Sequence, residues 1–503
     1  MKNKVGISLL ILLLGSTWYF LLKEVNGGLF GYFSLILTLF LVIIGFIIFL
    51  ENRDPAHTIA WLVVFGAFPI IGFMFYFLFG RNFRKDRIFR RKYFLDKQSF
   101  VKIDSEAELN YRKFKEMEEH PQKLFSLAQR LGNSPISFTT ETRILTNGEE
   151  TFSNIIQELK KAKHHIHLEY YIVRDDHIGG VLKDVLIQKV REGVKVRFIY
   201  DAVGSWKLAR SYIYELRNVG VEIVAFGPLR LPLLNNKFNF RNHRKIIVID
   251  GSVGFMGGLN IGDEYLGRNP NFGFWRDTHL MVKGEAVRTL QLIFLQDWYY
   301  STDHSFLSDE YLQTSLPLHH EHGGVQMIAG GPDSEWTIIK SIFFKMITSA
   351  EESVWIASPY FVPDDDIFQA LKVAALSGLD VRLLVPKNPD KRIVFHASRT
   401  YFPEMLAAGV RIFQYNEGFM HSKIVIVDHQ LASIGTTNMD MRSFHLNFEV
   451  NAFLYRTEST QHLVNDFLED IKVSQEVNID EFTKRNMGLK ILESTCRLLS
   501  PLL

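Results

Sequence analysis

The chain has 503 residues, of which 47% are hydrophobic, 42 are phenylalanine and one, Cys496, is cysteine. This length predicts two to four domains, and the apolar excess indicates that part of the chain lies in lipid. A lone cysteine excludes an intramolecular disulfide and a cysteine-built zinc site. The net charge of +2 divides into +7 over residues 1–92 and −5 over the remainder, and a mildly acidic body argues against nucleic acid as a partner.

Two uncharged apolar runs, residues 29–50 and 60–80, are each long enough to cross about 30 Å of hydrocarbon as a helix. The short polar segment ENRDPAHT joins them, so together they predict a transmembrane hairpin with a turn at Pro55. The basic segment RNFRKDRIFRRK follows, and positive charge beside a span favours the cytoplasmic side. We therefore expect residues 1–92 to form a multi-pass anchor in the cell membrane, with the rest of the chain on the cytoplasmic side.

An earlier apolar run, residues 5–22, has three interpretations: a cleaved signal, a third span or an interfacial helix. The lysines before it favour the inside, whereas an odd number of spans would place them outside. No small-residue cleavage pattern separates this run from KEVNGG, which argues against cleavage. The choice between two and three spans stays open.

Beyond a polar connector, residues 93–134, the same pattern occurs twice. HIHLEYYIVRDDHIGGVLKDVLIQKVREGVKVRFIYD and SVWIASPYFVPDDDIFQALKVAALSGLDVRLLVPKN each contain a β-rich run, an acidic turn, an amphipathic helix, a glycine and a second β-rich run. Each pattern predicts a strand–helix–strand unit. We therefore place one domain over residues 135–315 and a second over residues 316–503. The plain alternative is duplication of a stable unit with no chemistry attached.

A second repeated feature follows each unit: NHRKIIVIDGSVGFMGGLN in one half and MHSKIVIVDHQLASIGTTN in the other. Each copy keeps a histidine, a lysine, four apolar residues, an aspartate and a trailing asparagine, which are His243, Lys245, Asp250 and Asn260, and His421, Lys423, Asp428 and Asn438. Chance would give both matches in fewer than about one in a thousand such sequences. On a strand, the histidine and the lysine point to one face while the aspartate points to another, so the aspartate has a different task.

An imidazole, a lysine and an amide at one sheet end describe a pocket for a phosphate oxyanion beside a nucleophile or an acid. If the halves pack about a pseudo-twofold axis, the two pockets merge and the histidines flank one phosphorus atom. An ordinary histidine pKa of about 6.5 allows one imidazole to attack while neutral and the other to donate a proton. Because the lysines supply positive charge, this chemistry implies no metal and no cofactor.

A carboxylate normally fixes the tautomer of such a histidine. Glu449, which lies 28 residues after His421, and Asp277, in the corresponding segment after His243, are the candidates. The alternative is that both are surface charges. The neighbouring Trp275 and Arg276 are explained by packing and solvation, and we assign them no catalytic role.

The paired His-x-Lys-x4-Asp motif with its trailing Asn resembles the phospholipase D superfamily. ENRDPAHTIAWL, FGR, NHRKIIVIDG, WRDTHL and GFMHSK together resemble the bacterial cardiolipin synthases, from about residue 29 onward. The resemblance implies an α/β fold of duplicated phospholipase D-type domains with pseudo-twofold symmetry, preceded by the transmembrane hairpin. It also implies reversible, metal-independent phosphatidyl transfer. One phosphatidylglycerol forms a phosphatidyl-histidine and releases glycerol, and the hydroxyl of a second phosphatidylglycerol then gives cardiolipin.

The same resemblance implies roles for the motif residues. His243 is the expected nucleophile and His421 the expected acid and base, although pseudo-symmetry allows the reverse. Asp250 and Asp428 are expected to be structural members of the motif. The implied phosphate-binding residues are Lys245, Lys423, Asn260 and Asn438. The expected partners are phosphatidylglycerol and anionic membrane lipid, and the oligomeric state is not indicated.

Three other functions fit parts of the sequence. A superfamily nuclease would use the same histidine pair, but the acidic body and the hairpin argue against it. A membrane-anchored lipid hydrolase is a closer alternative, because water and a lipid hydroxyl compete for one intermediate, and the residues do not decide between them. A non-catalytic scaffold would predict erosion of one motif copy, and both copies are intact.

Overall fold

A computed structural model describes residues 107–227, 239–270, 273–304, 309–312 and 323–500, together with isolated helical positions between residues 39 and 72. The chain divides into two compact units, Met1–Asn82 with Leu231–Asn236 and Phe83–Arg230 with Lys237–Leu503. The structure does not describe most of the N-terminal segment. Apart from those isolated positions, the undescribed residues include the expected spans at 29–50 and 60–80, the run at 5–22 and the basic segment at 81–92. Within the described part of the chain, no helix is both long enough and apolar enough to cross a membrane.

The first half of the larger unit alternates helices and strands. In chain order these are α1 (Ala107–Glu116), α2 (Glu119–Gly132), β1 (Glu141–Thr146), α3 (Asn147–Lys161), β2 (His165–Tyr170), α4 (His177–Arg191), β3 (Lys195–Asp201), α5 (Arg210–Asn218), β4 (Glu222–Phe226), β5 (Arg241–Asn242), β6 (Ile246–Ile249), β7 (Val253–Gly257), a 3-10 turn (Asp263–Leu266), β8 (Phe274–Arg276), β9 (Thr278–Lys283), α6 (Ala286–Thr302) and α7 (Asp309–Leu312).

The second half repeats this alternation. Its elements are β10 (Gly324–Gly330), α8 (Ile338–Thr348), β11 (Ser353–Ala357), β12 (Phe361–Val362), α9 (Asp365–Leu376), β13 (Asp380–Pro386), α10 (Arg392–Arg399), α11 (Phe402–Ala407), β14 (Arg411–Tyr415), β15 (Gly418–Met420), β16 (Ile424–Val427), β17 (Leu431–Gly435), β18 (Met439–Asp440), α12 (Met441–His445), β19 (Asn447–Tyr455), α13 (Glu458–Lys472), β20 (Ser474–Glu476), α14 (Ile479–Thr483) and α15 (Met487–Leu498). The boundary expected between residues 315 and 316 lies outside the described residues.

The two halves have the same sheet topology. The strand order is β1-β9-β7-β6-β2-β3-β4 in the first half and β10-β19-β17-β16-β11-β13-β14 in the second, where β20 adds a further strand. β2 and β3 pair in parallel across α4, and β11 and β13 pair in parallel across α9. These are the two strand–helix–strand units expected from the sequence. Gly193 and Gly378 follow the crossover helices with φ of +91° and +94°, a conformation that glycine adopts without strain.

The sheets pack face to face, and the motif strands supply both layers of the core. Ile246 and Val248 of β6 join Ile424 and Ile426 of β16 in the apolar core between the sheets. Ile247 and Ile249 point to the opposite face and join the core under the first half's helices. The four apolar residues of each motif are therefore buried on both faces, which holds the start of the strand rigidly.

Part of the segment expected to be a polar connector is folded. α1 and α2 lie within it, and α2 buries Leu124, Phe125 and Ala128 in the core of the second half. The polar surface of these helices accounts for the composition of the segment, and the apolar stripe of α2 covers one face of the second sheet.

Two short parallel strand pairs connect the halves beside the motif histidines. β5 pairs with the start of β19, and β8 pairs with β15. The backbone N–H of His243 donates to the carbonyl of Phe448 at 2.9 Å, and the N–H of His421 donates to the carbonyl of Arg276 at 2.7 Å. Each histidine is therefore tied by its backbone to the opposite half.

Candidate active site

A cavity of about 460 Å³ opens where the two halves meet. His243, Asn260 and Trp275 of the first half and His421 and Asn438 of the second lie in its wall. Both copies of the motif therefore contribute to one cavity. Neither half forms its wall alone.

The expected orienting carboxylates reach the histidines across the interface. Nδ1 of His243 lies 3.0 Å from both carboxylate oxygens of Glu449, and Nδ1 of His421 lies 2.6 Å from Oδ2 of Asp277. An ionised carboxylate accepts a hydrogen bond, so Nδ1 carries the proton and Nε2 of each neutral ring keeps its lone pair. This is the tautomer in which Nε2 acts as a nucleophile or a base.

Burial controls the charge of both histidines. It lowers the pKa of His243 to about 4, although the charge of Glu449 opposes this shift. Burial and the positive charge of Lys423 lower the pKa of His421 to about 3. Burial disfavours the charged form of Asp277 and Glu449 as well, but the neighbouring histidine and lysine outweigh it, so the pKa of each carboxyl is lowered. At neutral pH both imidazoles are therefore neutral and both carboxylates are ionised.

The motif lysines are buried immediately behind the histidines. Nζ of Lys245 donates to the carbonyl of His243 at 2.6 Å, and Nζ of Lys423 donates to the carbonyl of His421. Burial lowers the pKa of Lys245 to about 7 and that of Lys423 to about 8, against the stabilising charges of the two carboxylates. Their ammonium groups are therefore poorly solvated, and a bound anion would stabilise their charged form.

The two motif asparagines differ in their hydrogen bonds. Oδ1 of Asn260 accepts from the backbone N–H of Ile172 at 3.0 Å, and its Nδ2 donates to the hydroxyl of Tyr265 at 3.2 Å. Oδ1 of Asn438 is buried in the cavity wall and has no hydrogen-bond partner among the residues that the structure describes. Asn438 is therefore the amide that is free to turn toward a ligand, whereas Asn260 also holds local structure.

The motif aspartates lie at the far ends of β6 and β16. The carboxylate of Asp250 accepts from the backbone N–H groups of Lys163, His164 and His165, and that of Asp428 accepts from Glu351, Glu352 and Ser353. Both aspartates have positive φ, 52° and 50°. They cap the loops that precede β2 and β11, so their contacts are structural and they do not touch the cavity.

Gly258 is required by close packing against the site. A Cβ atom at this position would lie 2.0 Å from Oδ1 of Asp277, well inside van der Waals contact. The glycine lets the chain after β7 pass the carboxylate and bring Asn260 to the cavity wall.

Trp275 and Arg276 have larger roles than the sequence indicated. The ring centroid of Trp275 lies 5.0 Å from that of His421, and Nε1–H of Trp275 donates to Oδ2 of Asp277 at 3.3 Å. Arg276 is buried and pairs with Asp470 at 2.8 Å and Asp466 at 3.0 Å, both in α13 of the other half. The expectation that Arg276 is solvated at the surface is therefore wrong. Its guanidinium is buried and joins β8 to the second half through these ion pairs.

Sequence reasoning missed a buried network behind His243. Arg244 donates through Nε to the carbonyl of Glu449 at 3.0 Å and pairs with Asp297. Glu169 lies beside this pair, and burial together with the charge of Asp297 raises its pKa well above the ordinary value. Arg244 is the unspecified residue between the motif histidine and lysine, so the motif pattern alone gave no signal for it.

Further cations line the cavity outside the motifs. They are Arg174, which pairs with Glu264 at 3.6 Å, Lys391, whose Nζ lies 5.0 Å from the ring centroid of Tyr360, and Arg442. Only their placement in the fold brings them together. In the part of the chain that the structure describes, no group of three or more His, Cys, Asp or Glu side chains has the arrangement of a metal site.

Comparison with known proteins shows the family. A model described as cardiolipin synthase, PLD-like domain, matches residues 155–298 and 343–471. Cardiolipin synthases of Geobacillus sp. and Halalkalibacterium halodurans are 60% and 58% identical to the chain over 100% of both chains in each pair. The chain belongs to the cardiolipin synthase family. The resemblance to the bacterial cardiolipin synthases that the sequence indicated is therefore confirmed.

Two further comparisons concern the N-terminal segment and the fold of this cardiolipin synthase family member. Residues 35–81 match a model described as phospholipase D-nuclease N-terminal. A crystal structure of phosphatidylserine synthase from Haemophilus influenzae superposes with a TM-score of 0.56 at 15% identity, covering 76% of this chain and 100% of that one. At this identity the likeness supports the duplicated α/β fold alone, and it agrees with the repeated sheet order.

Proposed function

We propose that the protein is a cardiolipin synthase that transfers a phosphatidyl group between two phosphatidylglycerol molecules. The observation that carries this proposal is the pair of reciprocal contacts, His243 with Glu449 and His421 with Asp277, in the wall of one cavity. The two histidines come from different halves, and each has an unprotonated Nε2. They can therefore act on opposite sides of one phosphorus atom, as an in-line displacement requires.

In the first step, Nε2 of His243 attacks the phosphorus of one phosphatidylglycerol. A P–N bond forms as the bond between phosphorus and the headgroup glycerol oxygen breaks. His421, protonated while the anionic phosphodiester is bound, gives its proton to the leaving oxygen, and glycerol departs. The low pKa of His421 does not prevent this, because a bound phosphate supplies negative charge that raises the pKa.

In the second step, a headgroup hydroxyl of another phosphatidylglycerol takes the place of glycerol. Neutral His421 accepts the hydroxyl proton as the oxygen attacks phosphorus, the P–N bond breaks, and cardiolipin is released with both histidines restored. Each step is the other in reverse with a different alcohol. The reaction is therefore reversible, with its direction set by glycerol and lipid concentrations.

The remaining polar groups are assigned to the phosphate oxygens. Lys245 and Lys423 neutralise their charge from behind the histidines, and Asn438 and Asn260 lie at the sides of the cavity. Arg174, Lys391 and Arg442 add positive charge to the cavity wall, which favours the approach of a second anionic lipid.

We also propose that residues 1–92 anchor the enzyme in the cell membrane by a hairpin and that the catalytic halves lie on the cytoplasmic side. The apolar runs, the basic segment after them and the family match over residues 35–81 support this placement. Labelling of single cysteines from one side of intact cells at residues 56 and 150, in a background lacking Cys496, tests it. Reagent that reaches residue 150 from outside the cell would overturn the cytoplasmic assignment.

Product analysis tests the proposed reaction. Full-length enzyme in vesicles of radiolabelled phosphatidylglycerol should form cardiolipin and glycerol in equal amounts. Phosphatidic acid as the main product would instead identify a hydrolase. His243→Ala and His421→Ala should each abolish turnover of phosphatidylglycerol, and full activity in either variant would overturn the two-histidine mechanism.

A further inference from the structure

The C-terminal helix α15 packs on the body through a polar face. Glu493 is buried on this face and pairs with Arg399 at 3.3 Å and with Arg485. Cys496 is also buried there, and the guanidinium of Arg497 lies 4.7 Å from the ring centroid of Tyr401. An ion pair of this kind fixes the rotation of the helix about its own axis, because leaving Glu493 buried without a cation would be costly.

The opposite face of α15 is apolar and exposed. Met487, Ile491 and Leu498 are 71%, 61% and 81% exposed, and their spacing of four and seven residues places them along one stripe of the helix. This arrangement is the inverse of an ordinary surface helix, which buries its apolar stripe and exposes its charges. An unpartnered stripe held outward by an ion pair needs an apolar environment to accept it.

The position of α15 connects this stripe to the active site. α15 packs against α10, the helix that carries Arg399. Val394 of α10 and the adjoining Lys391 lie in the wall of the active cavity. On the same helix Ile393 is 49% exposed. Whatever contacts the exposed stripe of α15 therefore lies near one wall of the active cavity.

The charge around the stripe selects the partner. Lys484, Lys490 and Arg497 on and beside α15 are exposed, as are Lys391 and Arg392 at the start of α10. An apolar stripe flanked by exposed cations is the pattern of a helix that lies in the interface of an anionic bilayer, with its apolar side chains among the acyl chains and its cations at the headgroups.

We propose that α15 lies in the interface of the anionic membrane and holds the active cavity at the lipid surface. Met487, Ile491 and Leu498 enter the acyl region, and the surrounding lysines and arginines contact headgroup phosphates. The inference rests on the proposed phospholipid substrate, since only a lipid substrate requires the cavity to stay at a bilayer. It assigns to this helix a membrane contact separate from the N-terminal anchor.

Depth-dependent fluorescence quenching tests the contact directly in the full-length protein. Cys496→Ala removes the only thiol, and Ile491→Cys then carries an environment-sensitive fluorophore in vesicles of phosphatidylglycerol and phosphatidylcholine. The matched control is Tyr214→Cys, on α5 of the other half, where the side chain is 67% exposed. We expect a blue-shifted emission at residue 491, quenched by lipids with a spin label near the headgroup, and neither effect at residue 214.

A second variant keeps the test independent of labelling. Ile491→Asp with Leu498→Asp places charge on two exposed positions, so the fold should be retained, which thermal unfolding checks. We expect turnover of phosphatidylglycerol in vesicles to fall about tenfold and turnover of a short-chain, monomeric phosphatidylglycerol to stay within twofold. Tyr214→Asp should change neither rate.

The outcomes separate this inference from the proposed function. Quenching at residue 491 no stronger than at residue 214, in an enzyme that still makes cardiolipin, overturns the membrane contact alone. A fluorescence change at residue 491 that depends on protein density and not on lipid spin labels means that a second copy covers the stripe, which also overturns it. Strong quenching with no cardiolipin formed by the wild-type chain supports the membrane contact and overturns the proposed reaction.

Discussion

Glu449 of the second half holds Nδ1 of His243 in the first half at 3.0 Å from both carboxylate oxygens. The two residues are separated by 206 positions in the chain, and Asp277 holds His421 in the reciprocal sense. Each histidine is therefore oriented by the half to which it does not belong. Any account of the chemistry has to treat the two halves as one site.

Replacing Glu449 by glutamine should lower kcat by roughly 100-fold with little change in KM, because the ring of His243 becomes positively charged as Nε2 bonds to phosphorus and loses the carboxylate that stabilises this charge. Steady-state kinetics on phosphatidylglycerol vesicles measures both constants. Glu476→Gln, which removes a carboxylate from an exposed ion pair with Arg411, is the matched control and should have no effect. A Glu449→Gln enzyme within twofold of wild type would show that the carboxylate does not act on His243.

The two histidines should differ with a substrate whose leaving group needs no proton, such as phosphatidyl-p-nitrophenol. His421→Ala should release one equivalent of nitrophenolate in a burst and then stop, because the adduct on His243 lacks a base to activate the second alcohol. His243→Ala should give no burst. Mass spectrometry of the quenched His421→Ala enzyme should locate the phosphorus on residue 243, and a burst in the His243→Ala enzyme instead would reverse the assignment.

The buried lysines predict a fall in kcat/KM as pH rises through about 7 to 8. Burial lowers the pKa of Lys245 to about 7 and of Lys423 to about 8, so the free enzyme loses positive charge over this interval and binds phosphate less well. Because kcat reports the complex, in which the phosphate raises both lysine pKa values, its decline should begin at higher pH. Coincident profiles for kcat and kcat/KM would contradict the assigned role of the lysines.

Asp250 should affect stability and not chemistry. Its carboxylate accepts hydrogen bonds from three backbone N–H groups. Its φ of 52° is a conformation that asparagine adopts more readily than alanine does. Asp250→Ala should lower the free energy of unfolding by about 2 kcal/mol, and Asp250→Asn by less. Denaturant unfolding measures this, and the kcat of the remaining folded enzyme should equal that of wild type. A large loss of kcat in a stably folded Asp250→Asn enzyme would assign it a catalytic role.

The two asparagines should separate binding from stability. Asn438 lies in the cavity wall and can donate from Nδ2 to a phosphate oxygen, so Asn438→Ala should reduce kcat/KM by at least about tenfold and leave the melting temperature unchanged. Asn260→Ala removes the acceptor for the N–H of Ile172 and should also cost about 1 to 2 kcal/mol of stability. Steady-state kinetics and thermal unfolding of both variants measure the loss of kcat/KM and the loss of stability. Equal stability losses would show that Asn438 too is mainly structural.

The sequence predicted the parts of the fold that depend on local periodicity. The strand–helix–strand units and the buried character of β6 and β16 follow from apolar spacing, and the glycines after the crossover helices mark where each helix ends. The motif residues were found because they occur twice. Repetition carried this information, since neither copy alone was distinctive.

Other features depend on which residues meet across the interface. Glu449 and Asp277 were identified as orienting groups, but no local pattern indicates that each serves the opposite histidine. Arg244 and Trp275 gave no sequence signal, because their roles come from Asp297 and His421, which are distant in the chain. The difference between Asn260 and Asn438 likewise depends on Tyr265, which lies in a 3-10 turn of the first half. Packing, and not periodicity, decides such contacts.

The strand that carries Glu449, β19, is made late in translation, after more than four-fifths of the chain has been synthesised. Until β19 docks, Nδ1 of His243 has no hydrogen bond to Glu449, and the backbone N–H of His243 cannot donate to the carbonyl of Phe448. A nascent chain that ends before Glu449 therefore lacks the carboxylate that fixes the tautomer of His243. Assembly of the cavity is therefore coupled to synthesis of nearly nine-tenths of the chain.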